Sequence, residues 1–276
     1  MYSVGVCGLG FVGEAIVKSL HENKIPKVCG YDKYKNGSKK NFKDLLKTDF
    51  IFFTLPTQYD ENRKDYNIDS IKENLEALKK NNYKGIILNK STVSPKTTQM
   101  LADTYGLCMI HNPEFLSSSS AFDDFHNQYC TILGKTTNCT DDQINYIINF
   151  YKTYYPKTTI TVCTSEESES TKLFSNCFYC VKIQFFNEIY DYCKKTNIDY
   201  ETVRKLMLQN GWISPMHTLV PGPDGLLSYG GYCFPKDSLA LLEGMNKNNV
   251  INGVLKAAIS ERGSMREDNF NIIKKK

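Results

Sequence analysis

The sequence predicts an α/β protein in two parts, a parallel-sheet domain over residues 1–164 followed by an all-helical domain over 165–276. Three observations predict it. Up to residue 164, short apolar runs alternate with amphipathic stretches at the spacing of βαβ units. From Ser165 onward that alternation fades, and 166–196 reads as one helix with no Gly or Pro to interrupt it. The chain has 276 residues, 41% hydrophobic and 23% charged, which is ordinary globular usage and enough length for about two domains.

Strands are expected at 2–7, 27–31, 50–54, 85–89, 107–110, 129–133 and 158–163, where β-branched and aromatic residues dominate several of the runs. Helices are expected between most of them, at 11–21, 68–80, 95–105 and 141–151, where apolar residues recur at helical spacing. Asp69, Ser94 and Thr140 stand near the starts as capping residues. In the second part, Asn197 breaks the long helix, 200–209 forms another, and 210–231 is too rich in Gly and Pro for regular structure. A loop of that length inside a compact domain points to function. Two further helical patterns start at Lys236 and Val250, and the basic tail Lys274–Lys276 is expected to fray.

Composition excludes several classes of function. The net charge is +4, and only four of 34 cations are Arg (Arg63, Arg204, Arg262, Arg266), so no nucleic-acid partner is expected. No apolar run approaches the ~18 residues of a membrane span, and glycines and Glu14 interrupt the only apolar stretch near the start, so neither a membrane nor a signal peptide is expected. A cytoplasmic protein follows, with its ten cysteines read as reduced thiols.

Gly8-Leu9-Gly10-Phe11-Val12-Gly13 lies between the first strand and the first helix, the context a GxGxxG needs to carry meaning. Gly8 permits the tight turn, Gly10 lets the amides of the turn and of Phe11 and Val12 approach a pyrophosphate, and Gly13 allows close helix–strand packing. The second strand leads into Asp32, placed to accept hydrogen bonds from a ribose 2′-hydroxyl and to repel a 2′-phosphate. NAD is therefore favoured over NADP, although Lys33 and Lys35 just beyond would tolerate a phosphate.

Four further segments resemble the nucleotide-sugar 6-dehydrogenases, the UDP-glucose and GDP-mannose dehydrogenase family. They are Ser91-Thr92-Val93, Asn112-Pro113-Glu114-Phe115-Leu116, Lys172 with Asn176 on a helix continuing to Phe186-Asn187-Glu188, and Gly230-Gly231-Tyr232-Cys233-Phe234-Pro235-Lys236-Asp237. The resemblance implies a Rossmann-type parallel-sheet domain, then an all-helical domain of the 6-phosphogluconate-dehydrogenase-like kind. It implies two NAD-dependent oxidations of the C6 primary alcohol of a nucleotide sugar, UDP-glucose first among them, feeding polysaccharide biosynthesis. Cys233 would trap the intermediate aldehyde covalently, since a thiolate is the natural group to hold it, and a helix N-terminus with Lys236 nearby would lower its pKa. Lys172 and Asn176, four apart on one helix face, would converge on an oxyanion. Glu114 and Asp237 would orient or deprotonate the hydrolytic water, Thr92 would hydrogen-bond in the same pocket, and Lys236 would also serve the cofactor. The family's long helix forms a dimer core, so a homodimer is expected, with Phe and Tyr of 166–196 buried on several sides.

The sequence departs from the family pattern in places. Ser117–Ser120 follow the NPEFL element, so a second family carboxylate is Ser118 here, and Trp212 stands where an Arg is usual. The chain ends 39 residues past Asp237, which predicts a compact form without the family's third, nucleotide-holding domain. Two alternatives stay open: a β-hydroxyacid dehydrogenase performing one oxidation, and an inactive dinucleotide-binding regulatory module. Three other features take structural readings. Cys177 and Cys180 are read as helix packing, with no metal site; His111 is read as structural; Trp212 is read as a packing anchor ahead of a sugar platform.

Overall fold

The computed structural model describes residues 1–35 and 42–266, which divide into two compact units, Met1–Gln58 with Tyr66–Lys172, and Tyr59–Asp65 with the chain from Leu173 onward. The expected tail Lys274–Lys276 lies outside the described residues.

The first unit is built on a seven-stranded sheet in the order β2-β1-β3-β6-β7-β8-β9. Its strands are β1 (Ser3–Cys7), β2 (Lys27–Tyr31), β3 (Phe50–Phe53), β6 (Ile86–Asn89), β7 (Met109–His111), β8 (Cys130–Lys135) and β9 (Thr159–Thr164). All pairings are parallel except β7 with β8, which run antiparallel from Ile110 opposite Lys135. Alternation along the strands feeds two cores. Val4, Val6, Phe50, Phe52, Leu88 and Ile110 meet the helix α1 (Phe11–Glu22) through Ile16 and Leu20, and α6 (Asp141–Tyr154) through Ile147 and Phe150. On the other face, Cys7, Ile51, Phe53, Ile87 and Met109 meet α3 (Asp69–Lys80) through Ile71, Leu75 and Leu78, and α4 (Thr97–Tyr105) through Leu101. Strands covered on both faces read as continuous apolar runs, which is what FIFF at 50–53 is.

Thr140 forms a reciprocal capping box with Gln143 at α6. Asp69 is the first residue of α3, its N–H held by the Asn67 side chain at 2.9 Å. Helix α4 starts at Thr97, behind Lys96 in the left-handed region (φ 78), so Ser94 belongs to the preceding turn. Three short elements escape the sequence reading: α2 (Phe42–Leu45), the hairpin β4 (Tyr59–Asp60) with β5 (Asp65–Tyr66), and α5 (Ala121–His126).

Helix α7 (Ser165–Lys195) follows β9 directly, opened by Thr164, whose hydroxyl accepts the Glu167 N–H while Glu167 accepts the Thr164 N–H. It ends ahead of Asn197, which adopts φ 59, a conformation Asn tolerates better than most side chains. In the second unit Phe186 and Cys193 of α7 pack on Tyr200 of α8 (Tyr200–Gln209), which is capped by Asp199. Helices α9 (Phe234–Lys247) and α10 (Gly253–Met265) follow a segment, 210–233, without helix or strand.

Three expectations need correction. Cys108 and Cys139 are joined in a disulfide, because the start of β7 and the turn before α6 bring their Cα atoms to 4.9 Å although they lie 31 apart in sequence. Trp212 is 91% exposed and anchors nothing, since it sits in a surface turn after α8. Helix α7 is not buried on all the expected sides: Phe174, Phe178, Phe185 and Tyr192 stand exposed on one stripe.

Candidate active site

Ligands of open α/β sheets bind beyond the carboxyl ends of the strands, and in the first unit the candidate residues cluster there. The glycine turn leaves β1 at Gly8 (φ +96), where a Cβ would come within 2.6 Å of the Thr54 carbonyl oxygen; at Gly13 a Cβ would lie 1.9 Å from the Gly8 carbonyl oxygen. Thr54 Oγ1 donates to that same Gly8 oxygen at 2.6 Å. Both glycines are thus dictated by close packing. Gly10 is different: a Cβ there meets only open space. It is the N-cap of α1 with no side-chain cap, and the first helical bond runs from the Glu14 N–H to its carbonyl, so the N–H groups of Phe11, Val12 and Gly13 precede any intrahelical partner. An open cradle at an uncapped helix N-terminus fits a dinucleotide pyrophosphate.

Asp32, just past β2, accepts the Leu9 N–H at 2.7 Å on Oδ2, and the Tyr34 and Lys35 N–H groups at 2.9 and 3.2 Å on Oδ1. It thereby locks the glycine turn while keeping a carboxylate at the position for a ribose. Lys33 and Lys35, the cations that would welcome a 2′-phosphate, pair with Glu73 and Glu14. These residues fit NAD.

Beyond β6 and β7 lies a buried polar cluster in the same unit. Lys172 of α7 places Nζ 3.3 Å from Glu114 Oε1, with side chains 6% and 9% accessible, and over the Phe115 ring at 5.1 Å. Glu114 Oε2 accepts the Leu116 N–H at 2.7 Å. Thr92 is buried and its carbonyl accepts from Thr57 Oγ1 at 2.7 Å, fixing the turn after β6. Asn112 is clamped by Tyr151, whose hydroxyl donates to Oδ1 at 2.6 Å, and by its own Nδ2 donating to the Ile132 carbonyl at 2.9 Å.

The second unit holds the signature segment. Cys233 is the N-cap of α9, half-buried and outside the disulfide, and its carbonyl accepts the Asp237 N–H at 3.0 Å. The Asp237 carboxylate is fully buried; Asn176 Nδ2 donates to Oδ2 at 2.6 Å and Lys236 Nζ to Oδ1 at 2.7 Å. Lys236, expected at the cofactor, thus has its ammonium on Asp237. Cys177 and Cys180 donate to the carbonyls of Asp237 and Phe234, and burial pushes both thiols up, so the pair packs α7 on α9.

The structure therefore brings Lys172 to Glu114, Asn176 and Lys236 to Asp237, and Asp32 to the glycine turn. Sequence reasoning overlooked Lys90 and Glu169 and set His111 aside. Lys90 is buried, with Nζ donating to the Asn112 carbonyl at 3.2 Å. His111 is buried, Nδ1 is 2.7 Å from Ser168 Oγ, and burial together with the charges of Lys90 and Lys172 lowers it to about 3. Glu169 accepts the Lys96 and Thr98 N–H groups, both at 2.7 Å, capping α4 from another helix. Arg262 and Arg266 of the last helix region hold the loop ahead of the signature through the carbonyls of Tyr229 and Leu227, and the Arg266 guanidinium lies against Gly230, 2.3 Å from where a Cβ would stand. Two of the chain's four Arg so close together were the signal available for them.

Comparison with known proteins gives a consistent result. The NAD binding domain of the UDP-glucose/GDP-mannose dehydrogenase family matches residues 32–155, and the central domain of the same family matches 166–261. A UDP-glucose 6-dehydrogenase of Campylobacter jejuni is 28% identical over 92% of this chain and 70% of its own length; one of Pseudomonas aeruginosa is 27% identical over 66% of this chain and 41% of its own. Among solved structures, a UDP-glucose dehydrogenase from Pyrobaculum islandicum superposes with a TM-score of 0.81 at 22% identity, covering 96% of this chain and 68% of that one. A Mycobacterium tuberculosis 3-hydroxyisobutyrate dehydrogenase gives 0.75 at 13% identity, covering 97% of this chain and 94% of that one. At these identities the two structures speak for the fold alone.

Proposed function

The chain belongs to the UDP-glucose/GDP-mannose dehydrogenase family, matched through its NAD-binding and its central domain, and from that we propose that it oxidises C6 of a nucleotide sugar to the carboxylate in two steps, with UDP-glucose the first substrate to test. The observation that carries this reading is Cys233 at the N-terminus of α9, one turn from the buried Asp237 carboxylate. A single oxidation has no use for a thiol there.

Bound NAD supplies the two-electron acceptor for each oxidation, held by the amides of the Gly8–Gly13 turn and by Asp32 at the ribose. The chain does the rest. As the alcohol becomes an aldehyde, its hydroxyl proton passes to a carboxylate or through water, and the Lys172 ammonium and the Asn176 amide steady the negative oxygen, such donors being worth about 2.7–4 kcal/mol each. The Cys233 thiolate then adds to the aldehyde carbon, forming the C–S bond of a thiohemiacetal and keeping the aldehyde from leaving. The N-terminal end of α9 favours that thiolate, the Lys236 ammonium being engaged by Asp237. Oxidation of the thiohemiacetal gives a thioester; water attacks its carbonyl, the C–S bond breaks, and carboxylate and thiol are released. Glu114 and Asp237 orient and deprotonate that water, with Thr92 fixing the turn beside the Glu114–Lys172 pair.

We further read the exposed stripe Phe174, Phe178, Phe185 and Tyr192 as a homodimer contact, since its 4- and 7-residue spacing keeps the four rings on one helical face, and place the reaction in the cytoplasm, serving polysaccharide biosynthesis. The test is stoichiometric. Purified protein with NAD and UDP-glucose, GDP-mannose or UDP-N-acetylhexosamines should form about two NADH per sugar consumed, and Cys233→Ser should abolish the uronic acid. One NADH per substrate, unchanged in Cys233→Ser, would establish the single-oxidation alternative. NAD binding without turnover of any sugar would leave a regulatory module.

A further inference from the structure

The first turns of α7 are fastened to the rest of the first unit more closely than helix packing alone requires. Antiparallel pairing of β7 with β8 sets His111 directly opposite Gly134, so both positions face the same side of the sheet. Ser168 sits on that pair. Its Oγ lies 2.7 Å from His111 Nδ1, and a Cβ on Gly134 would stand 2.5 Å from Ser168 Cβ and 2.9 Å from the Ser165 Cα. The bare backbone at Gly134 is thus the notch that lets the helix come down onto the imidazole. The next residue, Glu169, is fully buried and accepts the Lys96 and Thr98 N–H groups at 2.7 Å each, a second fastening at the start of α4. Residues 168 and 172 are four apart and so are neighbours on one helix face, while His111 and Glu114 lie three apart where the chain leaves β7. Ser168–His111 at 2.7 Å and Lys172–Glu114 at 3.3 Å are therefore two rungs between the same two segments. Ser168 and His111 are both fully buried, where water does not compete for their bond.

We propose that Ser168 and His111 are positioning residues for Lys172: their hydrogen bond, admitted by Gly134, fixes the height and rotation of α7 at which the Lys172 ammonium meets Glu114. The inference rests on the dehydrogenase reading for what Lys172 does, and on contacts within the first unit alone for how Lys172 is held. A lysine ammonium ends a flexible four-carbon stem, so its placement is only as good as the hold on its backbone. A misplacement of about 1 Å at a catalytic group can cost about 100-fold in rate. A hydrogen bond one helical turn from Lys172 therefore acts on the rate through the ammonium it places.

The experiment compares the full wild-type chain with Ser168→Ala, His111→Leu and His111→Asn, the last because its amide can occupy the place of Nδ1. Reductive methylation with formaldehyde and a borane reductant is read lysine by lysine in the mass spectrometer. Lys172 should be modified about fivefold faster or more in Ser168→Ala and His111→Leu, the factor that losing one hydrogen bond of ordinary net strength sets on local opening. In His111→Asn the rate should return close to the wild-type value. Lys90, buried on the Asn112 carbonyl, should stay as protected as before in Ser168→Ala. With NAD and UDP-glucose, kcat should fall about tenfold or more in the first two variants and recover in His111→Asn, with KM for NAD unchanged. Should His111→Leu fail to fold, Ser168→Ala carries the test, since it removes one oxygen and favours the helix. A Lys172 modified no faster in Ser168→Ala overturns the proposal, and so does a parallel rise at Lys90, which would make the bond part of general cohesion. The modification rates stand even if the protein turns over no nucleotide sugar, an outcome that would sink the dehydrogenase reading instead.

Discussion

Breaking the Lys172–Glu114 pair is the most informative perturbation the structure offers. At an Nζ–Oε1 separation of 3.3 Å and an effective dielectric of about 20, the direct attraction is about 5 kcal/mol. Both side chains are below 10% accessible, so desolvation takes back much of it. Removing one partner, however, strands the other, which typically costs about 3–5 kcal/mol. Lys172→Met should therefore lower unfolding stability by about 3 kcal/mol, because it leaves the buried Glu114 carboxylate with the Leu116 N–H but without its ammonium. Glu114→Gln retains an acceptor for that N–H and should cost less. The double variant should be more stable than the sum of the singles by about 2 kcal/mol. Urea unfolding of all four proteins at pH 8, with m-values compared to confirm a common transition, gives the coupling directly. Additivity within about 0.5 kcal/mol would show that the pair is a proximity without energetic meaning, and the role of Lys172 as a charge held ready by Glu114 would fall with it.

Three other outcomes follow from the same geometry. Gly10→Ala should fold with an unchanged melting temperature yet lose NAD binding in calorimetry, since its Cβ enters the open space proposed for the pyrophosphate, whereas Gly13→Ala should lower the melting temperature as well, its Cβ being 1.9 Å from the Gly8 oxygen. Glu169 keeps its proton to about pH 7 in the folded chain and to about 4.5 otherwise, because burial outweighs its three hydrogen-bond contributions. Its contribution is fully present below pH 4.5 and is lost as pH rises to 7, by roughly 3 kcal/mol, so the stability difference between wild type and Glu169→Gln should fall by that much between pH 4.5 and 8. Parallel urea midpoints over that range would refute it. In light scattering the wild type should show twice the chain mass and Phe178→Glu, in the exposed stripe of α7, the mass of one chain; a monomeric wild type would refute the proposed dimer.

The elements that were legible in the sequence are those whose signals are local. The FIFF strand, the Thr140 cap and the break at Asn197 each declare themselves within a few residues. The glycine turn with Asp32 was legible for the same reason, the acid lying one βαβ half-unit from the turn it braces. What escaped is what distance in sequence hides. Glu169 caps a helix 71 and 73 positions earlier, and nothing around it marks it as different from any helical glutamate. Lys90 is one of many lysines until the sheet buries it. The hairpin over 59–66, YDENRKDY, is polar throughout and reads as a loop, and α5 is too short, after four serines, to show a period. Trp212 misled because a lone tryptophan is usually buried, while this one follows a helix end in a turn.

The bond between Cys108 and Cys139 closes a covalent ring of chain around β7, the Asn112–Glu114 turn, α5 and β8. On loop length alone such a ring is worth about 3–4 kcal/mol against unfolding, and it encircles the turn from which Glu114 reaches Lys172. Dithiothreitol added in the laboratory to protect Cys233, the proposed nucleophile, acts on that ring as well wherever unfolding exposes its two buried sulfurs. Activities of batches purified with and without reductant therefore become comparable once the thiol content of each has been counted.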